Sequence, residues 1–439
     1  MRLPHALREL QRPTIRGLLV ALISASFAFS PRHIHAADFR VNSPADVADA
    51  NPGDGFCETA FGNGVCTLRA AIMETNALTG ADTIELQGDA TYYLSAGVLP
   101  ISDSVAITGG GPDGTIIDGN GSYEIFSLTG CRGGGICDAS HPLNVVSLTG
   151  VTLQNGSSVT GAGMYTDSAT VTIDHCRLAH NHVLKYGGAI YSKGILTITN
   201  SAISYNDTAP SPGGGGGIYS FGTTVVRNSL VDHNSAVTGG GIDIGGGTLS
   251  VVSSTISDNS STGDGGGIAV AGGTLGLYNA TVVGNTANAD ESGTAIGAGI
   301  ATSSTGNTVT FVNSIVAFNA NVISTMPTVL EDDNCSGMLN SQGNNIVSYV
   351  DGSHCTITGP GASIEDPGIG SLQDNGGPTP TYALLASSPA IDGGAHGGCT
   401  DNLGAVLTTD QRGSPRPNGR YCDIGAYEAF EFIFRNGFE

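Results

Sequence analysis

Tyr165, Tyr191 and Tyr219, followed by Asp243, hold equivalent places in a repeating stretch, each directly after an apolar Met or Ile. Aromatic rings on successive turns of a rigid scaffold combine flat apolar area with a polar tip, which suits sugar rings. The same rings can instead stack on one another and cover a sheet. These four residues are the candidate binding face. A parallel column, His180, Tyr205, His233 and Asp258, carries metal-ligating types, but the types are mixed and no fixed ligand geometry follows. Asp332 and Asp333 form an adjacent acidic pair in what reads as a loop before Cys335, the kind of pair that acid–base chemistry would use. The strong bases of the repeats are Arg177, Lys185, Lys193 and Arg227. Cys176 would need access and an activating neighbour to be a nucleophile. Its column otherwise reads Ser201, Ser229, Ser254, Ala280 and Ser314, a small slot, so it reads as a packing residue. No catalytic group, metal site or cofactor is assigned.

The elements that position these residues are repeats running from Gly161 to Asn319. Each opens on a small-residue cluster, as in Gly187-Gly-Ala-Ile190 and Gly239-Gly-Gly-Ile242, and closes on an asparagine: Asn181, Asn206, Asn234, Asn259, Asn285 and Asn319. The steps are 25, 28, 25, 26 and 34 residues, a solenoid period. Counting back from each Asn, positions ten, eight and three are apolar columns, such as Val171, Ile173 and Leu178, or Leu249, Val251 and Ile256. They alternate as the inward faces of short strands should. Position six back (His175, Asn200, Asn228, Ser253, Asn279, Asn313) reads as a second polar ladder at a bend. Stacked coils set like residues about 4.8 Å apart, so amides in a column can hydrogen-bond along the stack.

Around the array the chain does not repeat. Thr67 stands as an N-cap before an amphipathic helix, Leu68 to Leu78, placed to lid the first coil's open edge. Cys66-Thr-Leu-Arg-Ala-Ala-Ile72 resembles the Cys-Ser-Leu-Arg-Glu-Ala motif of the CSLREA domain of secreted bacterial β-helix proteins, with Thr67 for Ser and Ala70 for Glu. The repeats resemble those of pectate-lyase-like proteins and of polymorphic outer-membrane proteins. The string Asp366-Pro-Gly-Ile-Gly, Asp374-Asn-Gly-Gly-Pro, Ser388-Pro-Ala-Ile-Asp392, Asp410-Gln-Arg-Gly413 and Cys422-Asp-Ile-Gly-Ala-Tyr-Glu428 is similar to the C-terminal region of choice-of-anchor Q proteins. These resemblances imply an all-β fold, a right-handed single-stranded parallel β-helix with a short N-terminal capping helix. They divide the chain into a signal peptide (1–37), an N-terminal cap (38–80), the β-helix (81–360), a C-terminal cap (361–429) and a tail (430–439).

Arg2, Arg8, Arg12 and Arg16 before an apolar run, with Ala36 and Ala37 beyond it, read as a secretory signal. Cleavage there would leave 11 basic and 37 acidic side chains, a formal charge of −26, which argues against nucleic acid or an anionic membrane as partner. No stretch of the mature chain is long and apolar enough to span a bilayer as a helix. Eight of nine cysteines fall in sequence-local pairs, Cys57 with Cys66, Cys131 with Cys137, Cys335 with Cys355 and Cys399 with Cys422, as in an oxidising compartment. The function expected is an exported cell-surface or extracellular scaffold, non-catalytic, binding glycans or other cell-surface components or mediating adhesion. The alternative is a lyase or hydrolase of acidic polysaccharide, and calcium enters only under that alternative.

Overall fold

The Asn181 column shows how the coils close. In the computed structural model, which describes residues 36–131, 143–210, 212–290, 295–302, 306–325 and 328–430, every ladder asparagine from Asn181 to Asn319 is fully buried. The backbone N–H of Asn206 donates to Asn234 Oδ1 at 3.0 Å, and its Nδ2 donates to the same oxygen at 2.9 Å and to Leu178 O at 2.9 Å. Asn181, Asn234, Asn259 and Asn285 repeat the pattern. A seventh rung, Asn334, accepts from both the N–H and Nδ2 of Asn319 at 3.1 and 2.9 Å, only 15 residues on. Because the turn after an apolar triplet must bury backbone groups, a side-chain amide in register satisfies them without water.

Each repeat runs through four short strands, as in Met164–Thr166, Thr170–Asp174, Arg177–Ala179 and His182–Tyr186, with the rung Asn181 between the third and the fourth. Like strands pair in parallel, Val171 with Leu196 and Leu178 with Ile203, and stack into sheets of 12, 11, 8 and 8 strands among the described residues. The chain is a parallel β-helix. The apolar columns point inward and merge with Phe39, Ile84, Leu99 and the helix residues Leu68, Ala71 and Ile72 into one core. The first glycine of each opening cluster has positive φ, 67° at Gly187 and 57° at Gly239. A Cβ on the second, Gly188, would lie 2.0 Å from Gly216 O of the next coil, so only glycine lets the coils approach there.

Three sequence expectations change. The bend column six residues before each rung has positive φ, 50° at Asn200 and 48° at Asn313, a conformation Asn tolerates. Its side chains do not bond along the stack as a ladder: Asn279 Nδ2 donates to Thr400 O at 2.9 Å, and Asn313 Oδ1 accepts from the Ala395 N–H at 3.1 Å. The longitudinal hydrogen bonds come instead from the next residue, where Ser201, Ser229 and Ser254 hydroxyls accept the N–H of the preceding coil at 3.0–3.1 Å. The solenoid also runs past residue 360, since Cys355–Thr358 and Ala362–Ile364 still pair in parallel with it.

The third change concerns the segment expected as a C-terminal cap. Much of it lies along the flank of the coils as a strap, crossing the bend column. Thr255 Oγ1 donates to Gln411 Oε1 at 2.7 Å, the Ala426 N–H to Thr281 Oγ1 at 3.0 Å, and the Gly425 N–H to Asn313 O at 2.8 Å. Asn344 Nδ2 donates to Gly393 O at 2.9 Å, and Arg227 pairs with Asp401 at 2.9 Å. Ala390 and Ile424 pack on Val283, Ile315 and Ile346. Disulfides join Cys57 to Cys66, Cys335 to Cys355 and Cys399 to Cys422. Cys131 is disulfide-bonded, whereas Cys137 lies outside the described residues, as do 1–35 of the signal stretch and 431–439 of the tail.

Candidate functional site

Tyr165, Tyr191 and Tyr219 sit at the middle of three-residue strands that pair in register, Tyr165 with Tyr191 and Tyr191 with Tyr219, and Tyr219 pairs on with Asp243. Strand alternation turns Met164, Ile190 and Ile218 inward and the tyrosines outward. The rings stack on one another, with centroids 5.3 and 5.4 Å apart and planes within 10° and 14°. Their faces are therefore largely occupied by neighbours, and the column presents edges and phenol hydroxyls to solvent.

Lys193 completes the first two rungs. Its Nζ lies 5.7 Å from both the Tyr165 and Tyr191 centroids, donates to Tyr165 Oη at 3.2 Å, and stands 3.9 Å from Asp167 Oδ1. The Tyr165 hydroxyl holds the Lys193 ammonium above its usual range, and burial raises Tyr191. The strip thus brings together two phenols, one ammonium and one carboxyl group, all at least partly accessible. The ammonium is held at the hydroxyl edge of the stacked pair by its hydrogen bond to Tyr165 and by the nearby Asp167 carboxylate.

The other half of the expected face is covered. Tyr219 is 9% exposed, wedged between Tyr186 at 4.6 Å and the edge of Phe221 at 5.3 Å. Asp243 is 4% exposed, and its Oδ2 accepts from Thr238 Oγ1 at 2.8 Å while Oδ1 has no partner. Burial pushes its carboxyl up to about 6. Neither residue offers a surface to a polymer, which leaves Tyr165, Tyr191, Lys193 and Asp167 as the accessible strip. In the sequence Lys193 stands out only as one of the strong bases, and Asp167 not at all, because neither lies in the tyrosine column. Their signal was only that Lys193 follows Tyr191 by two residues, as Asp167 follows Tyr165.

The chain's fold has a match among solved structures. The crystal structure of pectate lyase Pel9A aligns with 90% of this chain and 97% of that one, with a TM-score of 0.50 and 13% sequence identity. The fold is a pectate-lyase-like parallel β-helix. No family model matches the chain, and no curated protein matches it in sequence. At that identity the likeness concerns architecture, and the site must be argued from its own residues.

The remaining candidates fall apart spatially. His180, Tyr205 and His233 stack at 5.4 and 4.6 Å, and His233 Nδ1 meets Asp232 at 2.8 Å. Among the described residues no group of three or more His, Cys, Asp or Glu is placed to hold a metal ion. Cys176 is buried, unpaired, and pushed up to about 11 by desolvation, the opposite of an activated thiol. Asp332 is not in a loop. It ends a strand, Thr328–Asp332, that pairs antiparallel with Ala320–Thr325, and it is exposed while Asp333 is buried. Of the bases, Arg177 pairs with Asp113 at 3.0 Å and Arg227 with Asp401. Lys185 lies in the second strand of the eight-stranded sheet whose eighth is Thr328–Asp332, six spacings or roughly 29 Å from the acidic pair.

Proposed function

We propose that the chain is an exported, non-catalytic β-helix scaffold that binds glycans, or glycan-bearing cell-surface partners, on the strip formed by Tyr165, Tyr191, Lys193 and Asp167. The observation that carries this reading is the Lys193 ammonium at the hydroxyl edge of two stacked phenols beside a carboxylate. Such a strip offers apolar ring edges together with alternating donors and acceptors at about 5 Å spacing, matched to sugar hydroxyls. The scaffold's stacked coils hold it rigid, so little side-chain freedom is lost on binding.

A formal charge of −22 disfavours polyuronides and other polyanions, which points the strip toward neutral or amine-bearing glycans. The same charge, with the separation of bases from the Asp332–Asp333 pair, weighs against the alternative of a lyase or hydrolase of acidic polysaccharide. Export is supported by the disulfides, which persist in oxidising compartments. It is supported too by the CSLREA-like and choice-of-anchor Q-like stretches, whose families are secreted or surface-attached. On this reading residues 1–37 are a signal, 38–80 an N-terminal cap and 361–429 a choice-of-anchor Q-like region. No helix among the described residues is long and apolar enough to cross a membrane.

The test is retention of the purified chain on a panel of immobilised glycans, run beside an assay for unsaturated and reducing sugars with and without a chelator. Retention on neutral glycans without product supports the scaffold. Chelator-sensitive product from a polyuronide supports the lyase instead.

A further inference from the structure

We infer that a second site, the cleft beside the Ala320–Asp332 hairpin, binds a primary ammonium group of the kind an amino sugar carries. The cleft encloses about 360 Å³ and is lined by Glu331, Asp332, Asp333, Asp351, Asn321 and His354 among others, with no lysine or arginine among the described lining residues. It is separate from the tyrosine strip and stands whether or not that strip binds.

Two buried oxygens in its wall lack a donor. Asp333 is 6% exposed; its Oδ2 accepts from the Gly297 N–H and from Asn321 Nδ2, both at 2.7 Å, while Oδ1 has no partner. Asn321 Nδ2 also donates to Ala295 O at 2.9 Å, so the amide is fixed: turning it over would set oxygen against oxygen. Its Oδ1 is thereby held without a partner as well. A buried acceptor left without a donor is costly, and here two are left together, one of them on a carboxylate. Across the cleft, Asp351 takes the Ser353 N–H and hydroxyl and meets His354 Nδ1 at 2.7 Å, which holds its carboxyl down to about 2 and keeps it charged.

The chemistry that fits is a cation with several donors spread over more than one wall. A metal ion would need oxygens converging to about 2.3–2.6 Å, and among the described residues no set of acidic or histidine side chains does so. An R–NH3+ group carries three donors on a carbon frame whose hydroxyls reach further acceptors. Burial pushes the Asp333 carboxyl up, with His354 and Asp351 acting on it in opposite directions, and an arriving cation would oppose the effect of burial.

The experiment is calorimetric titration of the full chain at pH 7 with glucosamine, N-acetylglucosamine, spermidine and calcium chloride. The expected result is saturable one-to-one binding of glucosamine, at least about tenfold weaker binding of N-acetylglucosamine, which lacks the charge, and at least about tenfold loss in Asp333→Asn. Because Asp333 also anchors the Gly297 N–H, Asp332→Asn on the exposed rim is the second variant, with a loss of about two- to fivefold. Binding of spermidine beside glucosamine supports the ammonium assignment and widens the carrier. Equal binding of the two sugars, binding undiminished in both variants, or saturable calcium binding with no amine binding would overturn it.

Discussion

The asparagine ladder and the C-terminal strap both bury polar groups against the same solenoid, by opposite means. The ladder is neutral and redundant: each amide bonds to the next coil, and every rung has neighbours making the same bonds. The strap is charged and unique. Arg416 Nε meets Glu428 at 2.8 Å with both side chains essentially unexposed, and Arg412 pairs with Asp410 while stacking 3.6 Å over the Tyr427 ring. Glu428 Oε1 and Oε2 further accept from the N–H groups of Asn418 and Asp423. A periodic region can spread a defect over identical neighbours, whereas a single charged knot leaves an unpaired ion when one member goes. Asp410, Arg412, Asp423 and Glu428 are members of that knot, so their role visible here is to fasten the strap.

Breaking the knot should give the largest effect. Arg416→Met strands Glu428 and is expected to cost about 3–5 kcal/mol of strap stability. Hydrogen exchange should report this as loss of protection at Gly425 and Ala426, with the coils around Asn206 still protected. Equal loss at both would erase the distinction between ladder and strap. Asn234→Ala removes the acceptor for the N–H and Nδ2 of Asn206 and the donor to Ile203 O, for about 2–3 kcal/mol by chemical denaturation. A smaller penalty at an end rung, Asn334→Ala, would sharpen the comparison further.

Asp243 supplies a pH test of the array. Its folded pKa is raised to about 6 from 3.8, so the folded state holds the proton more tightly. That stability is fully present below about pH 4 and is lost as pH rises through 6. Asp243→Asn should therefore gain on the wild type by about 2 kcal/mol between pH 4 and pH 7. A difference independent of pH would place the Asp243 carboxyl in water.

How much of this was legible follows from what repeats. The inward columns, the closing asparagines and the pairs Cys57–Cys66, Cys335–Cys355 and Cys399–Cys422 were readable because each partner lies one period or one short loop away. Asn334 was missed because the Ala320–Asp332 hairpin shortens its step to 15 residues. The covering of Tyr219 was missed because Tyr186 belongs to a different strand column and the position of Phe221 carries Asp167 and Lys193, not aromatic residues, in the two preceding coils. The strap and the acidic cleft join residues far apart in sequence, such as Arg227 with Asp401, and no local pattern marks such contacts.

The central claim is that Tyr165 and Tyr191, with Lys193 at their hydroxyl edge, are a glycan-binding strip. Retention of the wild type and of Tyr165→Ala with Tyr191→Ala on neutral glycans tests it most directly. The variant is expected to be retained at least about tenfold more weakly, with the melting temperature lowered by no more than a few degrees. Retention unchanged across the panel, in a variant that still folds, would contradict it.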